Sequence, residues 1–129
     1  MEDMNLYRKP KIVVIGSCNT DMTVKASRLP VPGETVVGGV FHMDSGGKGA
    51  NQAIAVARLG GDVTFVSKVG NDLFGMRALE SYRTEMIHTG YVFTDPDQPS
   101  GVALISVDSY GENCIIVAAG ANNSLCPEG

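Results

Sequence analysis

The residues with the clearest capacity for chemistry lie in one short run, Gly-Gly-Lys-Gly-Ala-Asn-Gln-Ala, from position 46 to position 53. Its glycines carry no side chain, so their backbone N–H groups can come close to a ligand. A helix that begins in this run adds unpaired N–H donors and the positive end of its dipole. These features favour a polyhydroxylated ligand, or one that becomes anionic during a reaction. The candidate binding residues of the run are Gly46, Gly47, Lys48, Gly49 and Asn51.

The spacing of this run excludes two common phosphate-binding motifs. A Walker A loop needs glycine five positions before Gly47, where this chain has His42, and it needs Ser or Thr where this chain has Gly49. The dinucleotide-binding fingerprint would need a third glycine at Gln52. For the run taken alone, a glycine-rich turn that merely starts a helix remains an alternative.

A second group of polar residues follows the first predicted strand. The β-branched run 11–16 predicts a strand that is buried on both faces, and residues 17–21 then read as a polar loop. This loop lies at the carboxyl end of the strand, where open α/β sheets bind ligands. Asn19 and Asp21 are therefore candidates to accept hydrogen bonds from ligand hydroxyls. An Asx-type turn is the alternative for these two residues.

Strands and helices alternate along the chain before a closing hairpin. Residues 34–41 predict a strand weakened by two glycines, 50–59 a helix, and 63–67 a buried strand. Asn71 or Asp72 is expected to cap a second helix that runs to about Met86. The apolar runs 102–107 and 114–119 flank a turn-forming tetrapeptide and predict an antiparallel hairpin. This order indicates an α/β fold with an added small sheet.

Composition and charge narrow the classes of function. The net charge is −4 and the basic residues are scattered, so nucleic-acid binding is not expected. No apolar run reaches the ~18 residues of a membrane-spanning helix. The polar start, residues 1–10, has no signal-peptide core, and a cytoplasmic location is expected. The three cysteines form no CxxC pair, so no zinc site is predicted, and their odd number fits a reducing compartment better than a disulfide framework.

Six motifs, in this order along the chain, carry a resemblance to one family. They are Gly16-Ser-Cys-Asn-Thr-Asp21, Pro32-Gly-Glu-Thr35, the run 46–53, Ala57-Arg-Leu-Gly60, Val69-Gly-Asn-Asp72 and Gly101-Val-Ala-Leu-Ile105. With them the chain after Pro10 resembles the ribokinase-type carbohydrate kinase family. The resemblance implies a mostly parallel sheet flanked by helices, plus a small antiparallel lid sheet. The lid segments would be about 22–42 and 100–119.

The resemblance also implies roles for particular residues. Ala103 and Ile105 would lie on the sugar-facing side of the lid, although plain packing inside the lid explains them equally well. In this family the lid also makes the contact of a homodimer. No membrane or nucleic-acid partner is implied. The positions that match the family's sugar-binding residues are Asn19, Thr20, Asp21, Gly46, Gly47, Lys48, Gly49 and Asn51.

One part of the family's catalytic machinery has no counterpart in this sequence. The family carries a late Gly-Ala-Gly-Asp segment whose aspartate is the general base, whereas the only similar stretch here, 120–123, ends in Asn. Residues 1–129 are therefore expected to be the amino-terminal part of one α/β kinase domain. ATP, Mg²⁺ and a monovalent cation such as K⁺ would bind outside this chain, which contributes no catalytic or metal-binding residue.

The implied activity is transfer of phosphate from ATP to the 5-hydroxyl of ribose. Two alternatives stay open. The first is a kinase for another substrate, such as fructose, a deoxysugar acid or a nucleoside. The second is a non-catalytic module that binds sugar or forms a dimer.

Overall fold

The chain forms two β-sheets and two α-helices. The computed structural model describes residues 8–129. The prediction that the start of the chain lacks a signal peptide rests mainly on residues 1–7, which lie outside the described residues. The elements in chain order are β1 (Lys11–Ile15), β2 (Asn19–Lys25), β3 (Val40–Gly46), α1 (Lys48–Arg58), β4 (Asp62–Gly70), α2 (Leu73–Thr84), β5 (His88–Asp95), β6 (Gly101–Val107), β7 (Asn113–Ala118) and a 3-10 helix (Gly120–Ser124).

The first sheet is parallel, with the strand order β1-β4-β5. Both helices cover the same face of it, where the buried side chains of β4 alternate with less buried ones. Phe65 of β4 and Tyr82 of α2 are fully buried there and make an edge-to-face ring contact at 5.3 Å. Ala50 and Ala53 are fully buried, and their small side chains let α1 pack close to the sheet. This face holds the hydrophobic core.

The prediction that β1 is buried on both faces is wrong. Val14 faces the helices and is buried, but Val13 and Ile15 are 63% and 71% exposed. Successive side chains of a strand point to opposite faces, and both helices lie over one face only. A continuous apolar run therefore does not by itself identify a strand that is covered on both sides.

The second sheet has the strand order β3-β2-β6-β7. Its outer pairs, β2–β3 and β6–β7, are antiparallel, while the central pair β2–β6 is parallel. The predicted fold class, an α/β fold with a parallel sheet and a small additional antiparallel sheet, is confirmed. The additional sheet has four strands, because the polar segment that begins at Asn19 is itself a strand.

Several boundaries differ from the predictions. The strand expected at 34–41 lies at Val40–Gly46, and residues 34–39 have no regular structure. β5 was not predicted. The stretch 120–123, which follows the predicted hairpin, belongs to the 3-10 helix.

Both predicted helices are present. α1 begins at Lys48, two residues before its predicted start, and α2 is capped by Asp72, whose side chain accepts a hydrogen bond from the Gly75 N–H at 2.9 Å. Neither helix is long and apolar enough to cross a membrane, as judged over the part of the chain that the structure describes.

Candidate functional site

Four elements bring the predicted site residues together: the start of β2, the end of β3, the start of α1 and the start of β6. Asn19 lies opposite Gly46 of β3 on one side and Gly101 of β6 on the other. Asp21, two residues further along β2, lies between Asp44 and Ala103. Residues directly opposite one another in neighbouring strands share a face of the sheet, as do residues two apart in one strand. Asn19, Asp21 and Ala103 thus lie on one face, which we call the Asp21 face.

The Asp21 face becomes apolar toward β7. Ile105 lies opposite Thr23 of β2 and belongs to this face. Two residues that the sequence analysis missed also lie on it: Val117 opposite Ala103, and Ile115 opposite Ile105. Both side chains are exposed. The pairing of the 102–107 and 114–119 runs across their turn was the signal that could have identified them.

Thr20 differs from its two neighbours, because it points to the opposite face of the second sheet. Its partners in register there are Ser45 and Val102. A cavity of about 310 Å³ lies between the second sheet and α2, and its lining includes Thr20 and Ser45, Phe74 and Arg77 of α2, and also Asn19 and Asp44. The structure therefore separates Thr20 from the Asp21 face.

The glycine run forms the turn between β3 and α1. Gly47 has φ 95°, a conformation that favours glycine, and it precedes α1 without a side-chain cap. The Ala50 N–H donates to the Ser17 carbonyl at 3.0 Å, which ties the helix to the loop after β1. The N–H groups of Lys48 and Gly49 donate to no acceptor within residues 8–129. Both donors lie at the positive end of the helix dipole; Lys48 is exposed to solvent, whereas Gly49 is buried against the backbone of Gly16.

The side chains of Lys48 and Asn51 are exposed on the first turn of α1. Neither makes a hydrogen bond or ion pair with another described residue. A lysine ammonium offers three donors, and an asparagine amide offers donors and acceptors. Both groups are thus available to a ligand that reaches the helix start.

The Asp21 carboxylate lies directly over Gly46. A Cβ atom on Gly46 would overlap the Asp21 Cγ and both of its carboxylate oxygens. Burial raises the pKa of Asp21 above its ordinary value, and the nearby charge of Asp44 raises it further. The absence of a side chain at Gly46 therefore leaves room for the carboxylate, and the raised pKa means that its ionised form is less favourable in the folded protein than in water.

His42 and Asp44 extend the polar part of the Asp21 face along β3. The His42 Nε2 lies 2.7 Å from an Asp44 carboxylate oxygen, and both side chains are largely exposed. The sequence analysis did not assign either residue to the site. Among residues 8–129, no three side chains of His, Cys, Asp or Glu gather to hold a metal ion.

Comparison with known proteins decides the family. The model of the pfkB family of carbohydrate kinases matches residues 9–128. The chain belongs to this family. The resemblance found from the motifs is confirmed.

Individual members of the pfkB family are similar over most of the chain. Mouse ribokinase is 45% identical over 117 residues, which cover 91% of this chain and 36% of the mouse protein. A deoxyribokinase from Salmonella typhimurium is 40% identical over 117 residues, covering 91% of this chain and 38% of that protein. This chain thus spans less than two-fifths of the length of these relatives.

A solved structure supports the architecture independently. Arabidopsis thaliana ribokinase complexed with ribose and ATP matches with a TM-score of 0.80 at 37% identity. The match covers 89% of this chain and 38% of the Arabidopsis chain. Both sheets, and the way they are connected, are therefore those of a pfkB family kinase.

The chemistry that these residues can perform is recognition of hydroxyl groups. An ionised carboxylate accepts hydrogen bonds from hydroxyls, whereas an amide can donate to them or accept from them. The free N–H groups at the start of α1 and the Lys48 ammonium can stabilise negative charge that develops on an oxygen. The apolar side chains on β6 and β7 can cover a carbon skeleton.

Proposed function

We propose that the protein to which this chain belongs transfers the γ-phosphoryl group of ATP to the 5-hydroxyl of ribose, and that residues 8–129 supply the sugar-binding part. The proposal rests on the Asp21 face, where the Asn19 amide and the Asp21 carboxylate lie beside the start of α1 and beside apolar side chains of β6 and β7. The ribokinases among the relatives support the choice of substrate.

The proposed contacts divide between polar and apolar groups. Asn19, Asp21, Lys48 and Asn51 bind sugar hydroxyls, while the backbone of Gly46, Gly47 and Gly49 lets the ligand approach closely. Ala103 and Ile105 pack against the carbon skeleton. Thr20 holds its segment of β2 in the sheet and contributes through its backbone. This last role replaces the side-chain contact that the resemblance had implied.

Nucleotide and cations complete the proposal. ATP binding is supported by the structure of the Arabidopsis relative, which is a complex with ribose and ATP. We propose Mg²⁺ and a monovalent cation such as K⁺ as further cofactors, bound by parts of the protein outside this chain. Phosphoryl transfer depends on positioning and on stabilisation of charge, and this chain positions the acceptor.

The second sheet is proposed to act as a lid over the sugar and as the contact of a homodimer. Its side away from the Asp21 face exposes apolar side chains from all four strands: Val24, Phe41, Leu104 and Ile116. Exposed apolar groups that share one face are typical of association surfaces. Ile116→Lys is expected to shift sedimentation from dimer to monomer, whereas Val37→Lys, on an exposed residue outside the sheet, is expected to leave it unchanged. A cytoplasmic location completes this proposal.

Sugar binding by an Asp21→Ala variant tests the central assignment. Removing a charge-assisted hydrogen bond is expected to weaken ribose binding by about 1.5–3 kcal/mol, or roughly 10- to 150-fold in Kd. Nucleotide binding is expected to be unchanged. Asp97→Ala is the matched control, because the Asp97 carboxylate is exposed and accepts no hydrogen bond from another described residue. Unchanged ribose affinity in Asp21→Ala would remove Asp21 from the site.

Two other functions are distinguished by the choice of ligand. The deoxyribokinase relative supports 2-deoxyribose as an alternative substrate. A coupled kinase assay on ribose, 2-deoxyribose, fructose and a nucleoside would rank these substrates by kcat/KM. Ribose binding without phosphoryl transfer to any of them would identify the non-catalytic module.

A further inference from the structure

The 3-10 helix after β7 supplies one side chain that contacts the loop between β1 and β2. Asn122 accepts a hydrogen bond at its Oδ1 from the Cys18 N–H, at 3.0 Å. Its Nδ2 donates to the Cys18 carbonyl at 3.0 Å and to the Ala119 carbonyl at 3.0 Å. The same Nδ2 donates to the Asn19 Oδ1 at 2.9 Å. One amide thus joins the 3-10 helix to the residue at the start of β2.

These contacts fix the orientation of the Asn122 amide. A backbone N–H can only donate and a backbone carbonyl can only accept, so the partners at Cys18 and Ala119 assign oxygen and nitrogen without ambiguity. The Asn122 nitrogen must then face Asn19, and a nitrogen that donates requires an acceptor opposite it. The Asn19 atom in this contact is therefore its oxygen.

The orientation of Asn19 follows from that of Asn122. With its Oδ1 occupied by Asn122, Asn19 holds its NH2 group away from the contact, and this group donates to no acceptor within residues 8–129. We propose that Asn122 is a positioning residue that makes Asn19 a hydrogen-bond donor toward the ligand. The Asp21 face then presents a donor at Asn19 and an acceptor at Asp21. This inference rests on the proposed function for the identity of the ligand, a polyhydroxylated sugar.

The residue beside this contact also fits the proposed role. A Cβ atom on Gly101 would overlap both the Asn122 Nδ2 and the Asn19 Oδ1. Any side chain at position 101 would therefore push the two amides apart. The start of β6 leaves the space in which the two amides meet.

Asn122→Asp tests the inference with almost no change in shape. A carboxylate cannot donate, so it would face three acceptor oxygens in place of the Nδ2 contacts, and Asn19 would have to turn its NH2 group toward it. The ligand would then meet the Asn19 oxygen. Asn123→Asp is the matched control, since it makes the same change in charge one residue away, at an exposed side chain that has no hydrogen bond to another described residue.

Binding of ribose and its monodeoxy analogues by calorimetry gives the first readout. Asn122→Asp is expected to weaken ribose binding by about 5- to 150-fold relative to Asn123→Asp. The loss is expected to disappear for the analogue that lacks the hydroxyl bound by Asn19. A role limited to folding would weaken the binding of every analogue alike, and that result would overturn the inference. Equal affinities in the two variants would overturn it as well.

Exchange of side-chain amide protons, followed by NMR without ligand, gives a second and independent readout. In the unsubstituted protein the Asn122 amide protons are expected to exchange slowly and those of Asn19 quickly. In Asn122→Asp the Asn19 protons are expected to become slow, and no change in them would overturn the inference. Because this readout needs no sugar, failure of the unsubstituted protein to bind ribose would refute the proposed function alone.

If Asn122→Asp does not fold, the variant Asn19→Asp tests whether Asn19 acts as a donor toward the ligand. Asn19→Asp keeps an acceptor for the Asn122 Nδ2 but offers the ligand an acceptor in place of a donor. Its ribose affinity is expected to fall, again through one hydroxyl, while the stability of the protein stays close to that of Asn123→Asp. Ribose affinity equal to that of the unsubstituted protein would overturn the inference.

Discussion

A methyl group introduced at Gly46, beneath the Asp21 carboxylate, tests whether ribose binding depends on the position of that carboxylate. In Gly46→Ala the new Cβ would lie well inside 3.0 Å of the carboxylate, a separation that Cβ atoms essentially never show. The atoms that this Cβ would overlap belong to the side chain of Asp21, which is short and can rotate only about its χ1 and χ2 bonds. The substitution therefore displaces the carboxylate and leaves the strands that carry it in place.

The size of the displacement sets the expected effect. Ordinary van der Waals contact begins near 3.4 Å, so the carboxylate must move by about 1 Å. A shift of this size breaks a hydrogen bond to a fixed ligand group, and a charged hydrogen bond contributes about 1.5–3 kcal/mol. Ribose affinity should fall by roughly 10- to 150-fold, close to the loss expected for Asp21→Ala.

Calorimetric titration with ribose measures this loss. Gly90→Ala is the control, because a Cβ on that β5 residue meets nothing within 4 Å and its φ is not positive. Both variants are expected to unfold at similar temperatures. If Gly46→Ala is folded and binds ribose as tightly as Gly90→Ala does, the carboxylate does not contact the sugar and our assignment of Asp21 is wrong.

Three further predictions concern pH and stability. Burial raises the pKa of Asp21, so its carboxylate is protonated at a higher pH than that of an ordinary aspartate. As the pH is lowered, ribose affinity should therefore begin to fall at this higher pH. Calorimetric titration at several pH values would measure the fall. The same raised pKa means that Asp21 contributes less to folding as the pH rises through it, so Asp21→Asn should raise the thermal unfolding midpoint at neutral pH, and a lower midpoint would contradict this sign. Met86 has φ 64° at the end of α2, so Met86→Gly should increase the free energy of unfolding by up to about 1 kcal/mol, as measured by urea titration. Met76→Gly, at an exposed position inside α2, should decrease it by about 1 kcal/mol.

The helices and the parallel strands could be predicted because their signals are local. Asp72 was one of two predicted caps for α2, and its side chain does cap the helix. The apolar runs that became β1 and β4 were recognised by their β-branched residues. Whether other elements pack on both faces of a sheet depends on distant parts of the chain. The exposure of Val13 and Ile15 therefore could not be predicted from the apolar run that contains them.

The strand β2 escaped prediction for a physical reason. Its first residues, Asn19 to Asp21, have side chains that favour turns and do not pack in a core. They form a strand because β3 and β6 pair with them on both sides, and these partners come from distant parts of the sequence. Residue types that contradict the local structure are expected where a site binds a ligand.

The candidate site residues were proposed from the sequence through their chemistry and the family resemblance, but their arrangement could not be. Recognition of β2 as a strand would have separated Thr20 from Asn19 and Asp21, since its side chains alternate between faces. Asn122 gave no signal, because an asparagine near the end of a hairpin is usually part of a turn. Only the folded chain brings it to Asn19.

The hydrogen bond between Asn122 and Asn19 joins residues 103 positions apart, which has a consequence for the order of folding. The three parallel strands β1, β4 and β5 are all synthesised before β6 begins, whereas β2 must wait for β6 and for the 3-10 helix. Pairing between distant segments is slow because the intervening chain loses entropy first. During synthesis, β2 would therefore leave the ribosome long before its partner, with one edge unpaired and open to association with other chains. Within residues 8–129, the part proposed to recognise the sugar is thus the last to form.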